Sequence, residues 1–370
     1  MIQGTVIKQH GTIDRPDVNY RKLEALNKSM IALFDTDPVK FFEQFKLGRS
    51  KKESKSTALS IGDLVDFYLL DCKGDEDIFN ERFDEKFALF QGEKGGKQVF
   101  MLADELFEVG KQNMSDKGEI TRPFDSMFTI AFARVQILGK YKNAKEEKAL
   151  IDFNDNAFDY YQTLLDNIGK TVIDISLLDK AKRVATLLKE DEFTKDVFSE
   201  DDNLEYLPKF PIEWIYITKD NKQIKCKSEI DILKINHKEL IINVLDLKTT
   251  FDNELFDYNY LKNSYYLQAA FYYLAVKYWA EKNGMEDYHI IPMEFIVGDT
   301  SANNRRPIRY TTDIYDLEAG LKGFTHNNQY YRGIHELIEE ISWAEDNNMW
   351  NISKKVFDAK GILKLNLKYE

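Results

Sequence analysis

The sequence predicts an α/β protein in which a β-sheet core is flanked by helices. Three consecutive segments rich in Ile, Val, Trp and Tyr are separated by short polar turns, which is typical of an antiparallel meander of strands. These segments are residues 211–218, 223–235 and 240–250. A long aromatic segment at 260–283 is interpreted as a helix. A further strand at 293–299 and a last helix near 329–346 complete this part of the chain.

The N-terminal part of the chain has a mainly helical pattern. Between Asn19 and about Lys209, apolar residues recur at spacings of three and four, as they do along one face of a helix. A basic segment at 46–57 and a Gly-containing segment at 91–97 interrupt this pattern and are interpreted as loops. The pattern predicts a mainly helical part, a sheet-containing core and a C-terminal helical part, integrated into one domain. Their expected bounds are 1–205, 206–310 and 311–370.

Composition excludes several classes of protein. The 370 residues include 25 Phe, 20 Tyr and 4 Trp, too many aromatic side chains for a disordered chain. No apolar run approaches the ~20 residues of a membrane-spanning helix, and no signal peptide is visible, so we expect a cytoplasmic protein. The two cysteines, Cys72 and Cys226, are too few for a disulfide framework or a four-thiolate cluster. The net charge of −12 argues against a polybasic surface, although it does not exclude a local basic groove.

The second predicted hairpin gathers charged residues on one face. If Ile235 pairs with Leu240 across the turn, Asp246 lies opposite Glu229. Because side chains alternate along a strand, four charged residues then share a face. These are Glu229, Asp231, Asp246 and Lys248.

Two interpretations of this charged face remain open on the residues alone. Asp246 lies within the apolar run LIINVLDL, where an unpaired charge would be strongly unfavourable. The group is therefore either a functional site or a buried structural salt bridge of Lys248 with Asp231 or Glu229.

The same residues resemble the PD-(D/E)XK nucleases, in particular the RecE/RecB-like branch that includes lambda-type phage exonucleases. Asp231, followed by Asp246-Leu247-Lys248-Thr249, is similar to the D…(D/E)-x-K-T core of that family. In the following helix, Gln268-Ala-Ala-Phe-Tyr272 is similar to the Q-x-x-x-Y signature of the branch.

Two upstream segments are also similar to this branch. Asn27-Lys-Ser29, with Pro38 and Phe41, resembles its opening helix. Gly62-Asp-Leu-Val-Asp66 stands where the branch has G-x-x-x-H, so that an aspartate replaces the usual histidine. A carboxylate is a natural ligand for a hard cation, which leaves a metal site plausible.

The resemblance implies a restriction-endonuclease-like mixed β-sheet at 206–310 and a large helical elaboration before it. It implies a Mg²⁺-dependent exonuclease, with Mn²⁺ as a substitute and without an iron–sulfur cluster, that hydrolyses linear double-stranded DNA. The expected catalytic residues are Lys248, Asp246 and Asp231. The expected metal ligands are Asp66, Asp231, Asp246 and the Leu247 carbonyl. Glu229, Gln268 and Tyr272 would support the metal site or position DNA.

The resemblance also implies a cellular setting. It suggests phage-type recombination or repair with a single-strand annealing protein as partner, a homo-oligomer, and the host cytoplasm if a phage encodes the chain. Two other functions remain open: a catalytically inactive DNA-binding or assembly protein with a nuclease fold, and an endonuclease of the same fold. For Asp66, Gln268 and Tyr272, ordinary helix-surface or core positions remain the alternative to a functional role.

Overall fold

The structure is a computed structural model that describes residues 23–49, 57–94, 97–199, 203–303 and 305–363. It is a mixed α/β fold with a helical N-terminal region and a five-stranded mixed sheet flanked by helices. The chain divides into two compact units: one combines the chain up to Lys52 with Leu187–Glu370, and the other is Glu53–Thr186. Among the described helices, none is long and apolar enough to span a membrane.

The first unit begins with two short helices, α1 (Lys28–Thr36) and α2 (Pro38–Phe41), which continue into a π-helical turn. The side chain of Asn27 begins α1, because its Oδ1 accepts a hydrogen bond from the amide of Met30 at 3.0 Å. The buried ring of Phe41 stacks on Trp350, with ring centroids 5.6 Å apart. The helix α2 is thereby packed against Trp350 near the C-terminal end of the described chain.

The second unit is helical apart from a two-stranded parallel sheet, β1 with β2. Its elements, in chain order, are α3 (Thr57–Asp66), a π-helical turn (Phe67–Asp71), α4 (Glu76–Lys86), β1 (Phe87–Phe90), α5 (Gln98–Gln112), α6 (Phe124–Ile137), α7 (Glu146–Asn156), α8 (Phe158–Asp166), β2 (Thr171–Asp174) and α9 (Ile175–Glu190). The helices α5 to α8 enclose a hydrophobic core of their own. The boundary between the units falls within α9.

The remainder of the first unit contains the large sheet. Its elements are α10 (Lys195–Phe198), β3 (Leu204–Ile217), β4 (Gln223–Asn236), β5 (Ile241–Thr250), α11 (Phe256–Lys262), α12 (Tyr265–Lys282), β6 (His289–Asp299), β7 (Ile308–Thr311), α13 (Ile314–Lys322), β8 (Phe324–His326), β9 (Gln329–Tyr331), α14 (Ile334–Asn347) and α15 (Lys354–Asp358). The strand order is β3-β4-β5-β6-β7, and only the β5–β6 pair is parallel. The predicted antiparallel meander and mixed sheet are confirmed.

The helix α12 is the central helix of this unit. Twelve of its residues are buried, and they pack against the sheet and against α13 and α14 in one hydrophobic core. The ring of Phe271 lies 4.8 Å from that of Trp214 on β3. Because α12 is apolar on most of its surface, it is a core helix rather than an amphipathic surface helix.

Three local features differ from the sequence-based expectation. The helix predicted at 260–283 is broken at Ser264, whose left-handed backbone (φ +53°) separates α11 from α12. The helix expected near 329–346 begins only at Ile334. Residues 329–331 instead form β9, the second strand of the β8–β9 hairpin. The four-residue strand β7, which the sequence analysis did not predict, forms one edge of the sheet.

We expect Gly320→Ala to lower the free energy of unfolding by about 1–3 kcal/mol, as overpacking of a close contact does. A Cβ atom at Gly320 on α13 would lie 2.5 Å from the backbone oxygen of Tyr266 and 2.8 Å from the Cβ of Ala270, both on α12. Urea unfolding followed by circular dichroism measures the change. Glu318→Ala, at an exposed position of the same helix, is the control and should change stability by less than about 0.5 kcal/mol. Equal stability of the two variants would contradict the close helix contact.

Candidate active site

Asp231 and Asp246 lie at the point where β4 and β5 separate. The last residues paired between these strands are Ile232 and Leu245, and the next position on each strand is the aspartate. The backbone amide of Leu247 donates to Asp231 Oδ2 at 2.9 Å. A side-chain carboxylate thus accepts a hydrogen bond that a strand carbonyl would accept in a continuous ladder.

The observed register corrects the predicted one. Ile235 pairs with Ile242 and not with Leu240, so Asp246 lies across from Asp231 and not from Glu229. The turn causes the difference, because Leu240 adopts a left-handed conformation (φ +54°) and belongs to the turn instead of the strand. The observed pairing is therefore displaced by two residues from the predicted pairing. Because side chains alternate along a strand, an even displacement keeps both aspartates on the same face of the sheet.

The carboxylate of Asp246 is buried, with 1% of its surface exposed. One of its oxygens accepts a hydrogen bond from Gln268 Nε2 on α12 at 2.5 Å, and the other contacts Lys248 Nζ. Asp246 and Lys248 belong to one predicted sequence motif and Gln268 to another. The structure brings these three side chains together. A buried carboxylate with two donors is far less unfavourable than an unpaired one.

The ammonium group of Lys248 also donates to the Leu247 carbonyl at 3.2 Å. Burial lowers the pKa of Lys248, but the nearby carboxylates of Asp246 and Asp231 outweigh it and raise that pKa above the ordinary lysine value. The lysine is therefore charged at neutral pH. Lys248 forms a buried salt bridge with Asp246, whereas Asp231 or Glu229 was the partner expected from the sequence.

Lys28 on α1 is a member of the site that the sequence analysis did not single out. Its Nζ lies 5.1 Å from the centroid of the Tyr265 ring, the same distance as Lys248 Nζ, and donates to the Asn263 carbonyl at 3.0 Å. Burial and, second, the Lys248 charge lower the pKa of Lys28 to about 8, against the opposing effect of Asp246. A lysine within the opening N-K-S segment carried no signal of its own in the sequence.

The other predicted site residues lie in three different places. Tyr272 is half-buried one turn after Gln268 on α12 and packs against the main core. Glu229 is half-buried on β4 beyond the point where the strands separate. Asp66 is half-buried at the end of α3, in the second unit, directly before the π-helical turn. Their assigned roles stay predictions.

The carboxylates of the site form a pair and not a larger cluster. Within the described ranges, no group of three or more His, Cys, Asp or Glu side chains is arranged to hold a metal ion. Asp231, Asp246 and the Leu247 carbonyl each bring an oxygen atom to the site.

Four basic side chains from basic segments of the sequence are paired with carboxylates outside the site. Lys46 contacts Glu345 at 2.6 Å, while 50–56 of the same basic segment lie outside the described residues. Three arginines after β6 have acidic partners too: Arg305 with Asp252, Arg306 with Asp191 and Glu192, and Arg309 with Asp196 and Glu294. Their visible role is to hold neighbouring segments of the first unit together.

We expect the free energy of unfolding to rise between pH 8 and about 10.5 through Lys28. In this range the folded protein has lost the Lys28 proton while the unfolded chain, with its ordinary lysine pKa, retains it. Stability increases with pH wherever the unfolded state binds more protons. Urea unfolding at a series of pH values, compared between wild type and Lys28→Met, measures this contribution.

Two variants of the same helix make the pH experiment specific. Lys28→Arg keeps a positive charge throughout the range and should lose the rise, as Lys28→Met does. Ser29→Ala, at an exposed neighbouring position, should keep it. An unchanged pH dependence in Lys28→Met would contradict the buried position of this lysine.

Comparisons with known proteins assign no family. No protein-family model matches the chain, and no curated protein matches it significantly. The function therefore has to be argued from the geometry of the Asp231, Asp246 and Lys248 site.

Proposed function

We propose that the protein is a metal-dependent nuclease that hydrolyses phosphodiester bonds of linear double-stranded DNA. In this proposal the five-stranded sheet is a restriction-endonuclease-like core of the PD-(D/E)XK type, RecE/RecB-like branch. The observation that carries the proposal is the convergence of Asp231, Asp246 and Lys248 where two strands separate. Gln268, from an independent motif, supports it by contacting Asp246 directly.

The residues of the site fit a hard divalent cation. The Asp246 carboxylate and the Leu247 carbonyl already converge on one positive charge, the ammonium group of Lys248. Carboxylate and carbonyl oxygens are the ligands that Mg²⁺ prefers, and Mn²⁺ accepts the same donors. Asp231, Asp246 and the Leu247 carbonyl would hold the ion. A bound divalent cation would supply an activated water and charge stabilisation at phosphorus.

The remaining residues have distinct tasks in this mechanism. Because its pKa is raised, Lys248 remains an ammonium group and stabilises negative charge that develops on the phosphate. Gln268 fixes the orientation of the Asp246 carboxylate through its 2.5 Å hydrogen bond. Lys28 adds a second positive charge beside the same Tyr265 ring.

A non-catalytic DNA-binding or assembly protein is the second candidate. It is favoured by one observation: among the described residues no third acidic or histidine side chain joins Asp231 and Asp246 in a metal-binding group. The net charge of −12 disfavours a broad DNA-binding surface in both candidates. Cleavage of end-labelled linear DNA with Mg²⁺ or Mn²⁺ separates the candidates, and cleavage of circular DNA would instead indicate an endonuclease. Partnership with a single-strand annealing protein and a homo-oligomeric state belong to the same proposal.

We expect Lys248→Ala to lower the cleavage rate by roughly a thousandfold, since a positive charge at the developing phosphate charge is lost. The same variant should lose ~3–5 kcal/mol of stability, because Asp246 is left as a buried carboxylate without its cation. Gel assays of cleavage and urea unfolding, at a temperature where the variant is folded, measure the two effects.

A second substitution separates the catalytic role of Lys248 from its structural role. Lys248→Arg retains a charge for Asp246 and should recover stability. Its larger, planar guanidinium group cannot place the charge where the compact ammonium group lies, so cleavage should stay well below wild type. Wild-type cleavage by folded Lys248→Ala would mean that the lysine serves only as a structural ion-pair partner. Lys225→Ala, at an exposed lysine of β4, is the control and should match wild type in both assays.

We expect Mg²⁺ or Mn²⁺ to stabilise the wild-type protein, because an ion bound only by the folded state shifts the unfolding equilibrium. At a free ion concentration ten times the Kd, the gain is about 1.4 kcal/mol. Asp231→Asn should abolish this gain, whereas Asp220→Asn, at an exposed turn position, should retain it. Thermal unfolding with and without the ion measures the effect. A wild-type melting temperature that does not change on addition of either ion would argue against the metal site.

A further inference from the structure

A cavity of about 1320 Å³ lies close to the candidate active site, in the same unit. Phe256 lines this cavity and stacks on Tyr265, with ring centroids 5.5 Å apart. Tyr265 is in turn the ring beside Lys248 and Lys28. One pair of stacked rings therefore separates the cavity from the lysines of the site.

The wall of the cavity contains many aromatic side chains among polar ones. Six tyrosines from α11, α12, β7 and the β8–β9 hairpin line it: Tyr258, Tyr260, Tyr266, Tyr310, Tyr330 and Tyr331. Two of them lie on its outer part, because Tyr258 is 64% and Tyr330 is 54% exposed. The volume exceeds the 300–1,000 Å³ of a typical small-molecule pocket. The cavity is thus large enough for several flat ring systems.

Some charged groups of the wall have partners in the protein, while Asp257 and Lys262 are exposed. Arg332 pairs with Asp35 at 2.7 Å and also contacts Glu340. The carboxylate of Asp316 accepts a hydrogen bond from the Asp313 amide within the first turn of α13. The wall therefore offers aromatic faces more than unpaired charge, and it would select a ligand by stacking.

One polar atom of the wall has no internal partner. The hydroxyl of Tyr260 is buried and has no hydrogen-bond partner among the residues that the structure describes. A buried hydroxyl without a partner is unfavourable. Because this hydroxyl has almost no accessible surface, a ligand in the cavity would contact the ring of Tyr260 and not this atom.

We infer that this cavity binds the bases of an unpaired DNA strand next to the cleavage site. The inference rests on the proposed nuclease function and extends it to the form of the substrate, a duplex end with a single-stranded segment. Stacking on tyrosine is tolerant of sequence, because every base has an aromatic face. The phosphates stay outside, where exposed Lys262 lies 5.6 Å from the centroid of the Tyr258 ring.

The test uses the full-length protein and a fluorescein-labelled single-stranded oligothymidylate. Fluorescence anisotropy in EDTA measures binding without cleavage. Tyr258→Ala and Tyr330→Ala should each raise the Kd about tenfold, within the range for loss of one stacked base. Both side chains are largely exposed, so their removal should leave the urea midpoint unchanged. Tyr315→Ala is the matched control, since this 77% exposed tyrosine of α13 does not line the cavity.

The outcomes separate this inference from the proposed function. Weaker binding by both cavity variants, with wild-type binding by Tyr315→Ala, supports it. Unchanged binding by both cavity variants overturns it, as does wild-type protein that cleaves duplex DNA without binding the oligothymidylate. Wild-type protein that neither binds DNA nor cleaves it overturns the proposed function together with the inference.

Discussion

The buried carboxylate of Asp246 is stabilised by two hydrogen-bond donors, one on β5 and one on α12. The relative placement of β5 and α12 must keep both donors within reach of this carboxylate. One donor, Lys248, is two residues along the same strand, so its position depends only on the strand remaining extended. The other donor, Gln268, comes from α12, and its short hydrogen bond is possible only if the helix lies close against that face of the sheet. A buried charge without these donors would strongly destabilise the fold.

The close position of α12 in turn depends on its neighbours. Gly320 lets α13 approach the backbone of α12 more closely than any residue with a Cβ would allow. At its N-terminal end, the left-handed Ser264 turns the chain from α11 into α12, and Lys28 binds the carbonyl of the residue before it. The lysine that enters the site from α1 thus also holds the backbone where the central helix begins.

The parts of the fold that depend on the alternation of side chains along a strand could be predicted from the sequence. The period of two along β4 and β5 placed Asp231 and Asp246 on one face, and this remained correct although the predicted register was displaced by two residues. The register itself depends on the left-handed conformation of Leu240, a residue type that rarely adopts it, so no local pattern could indicate it. The break at Ser264 also depends on a left-handed backbone conformation. It could not be predicted, because the helix pattern on either side of it is continuous.

Residues whose importance arises from long-range contacts were the hardest to predict. Lys28 has no distinguishing neighbours in sequence, and its position beside Tyr265 exists only because α1 packs next to the start of α12. The short edge strand β7 contains an arginine and a tyrosine in an unremarkable polar context, and its pairing with β6 defines it as a strand. Gln268 was singled out through the Q-x-x-x-Y resemblance; its contact with Asp246 is observed, and its role stays a prediction.

The fork between β4 and β5 also has a consequence for the order in which the molecule folds. Where β5 diverges, Leu26 pairs with the exposed edge of β4: its amide donates to the Lys225 carbonyl and its carbonyl accepts from the Lys227 amide, both at 2.8 Å. The Lys227 side chain binds the Leu23 carbonyl, 204 residues away, and Lys28 binds a carbonyl 235 residues away. The segment that contains Leu26 and Lys28 is synthesised early. Its contacts can form only after β4 and Asn263 have been synthesised. Contacts of such sequence separation require long-range loop closure and are typical of slow folding.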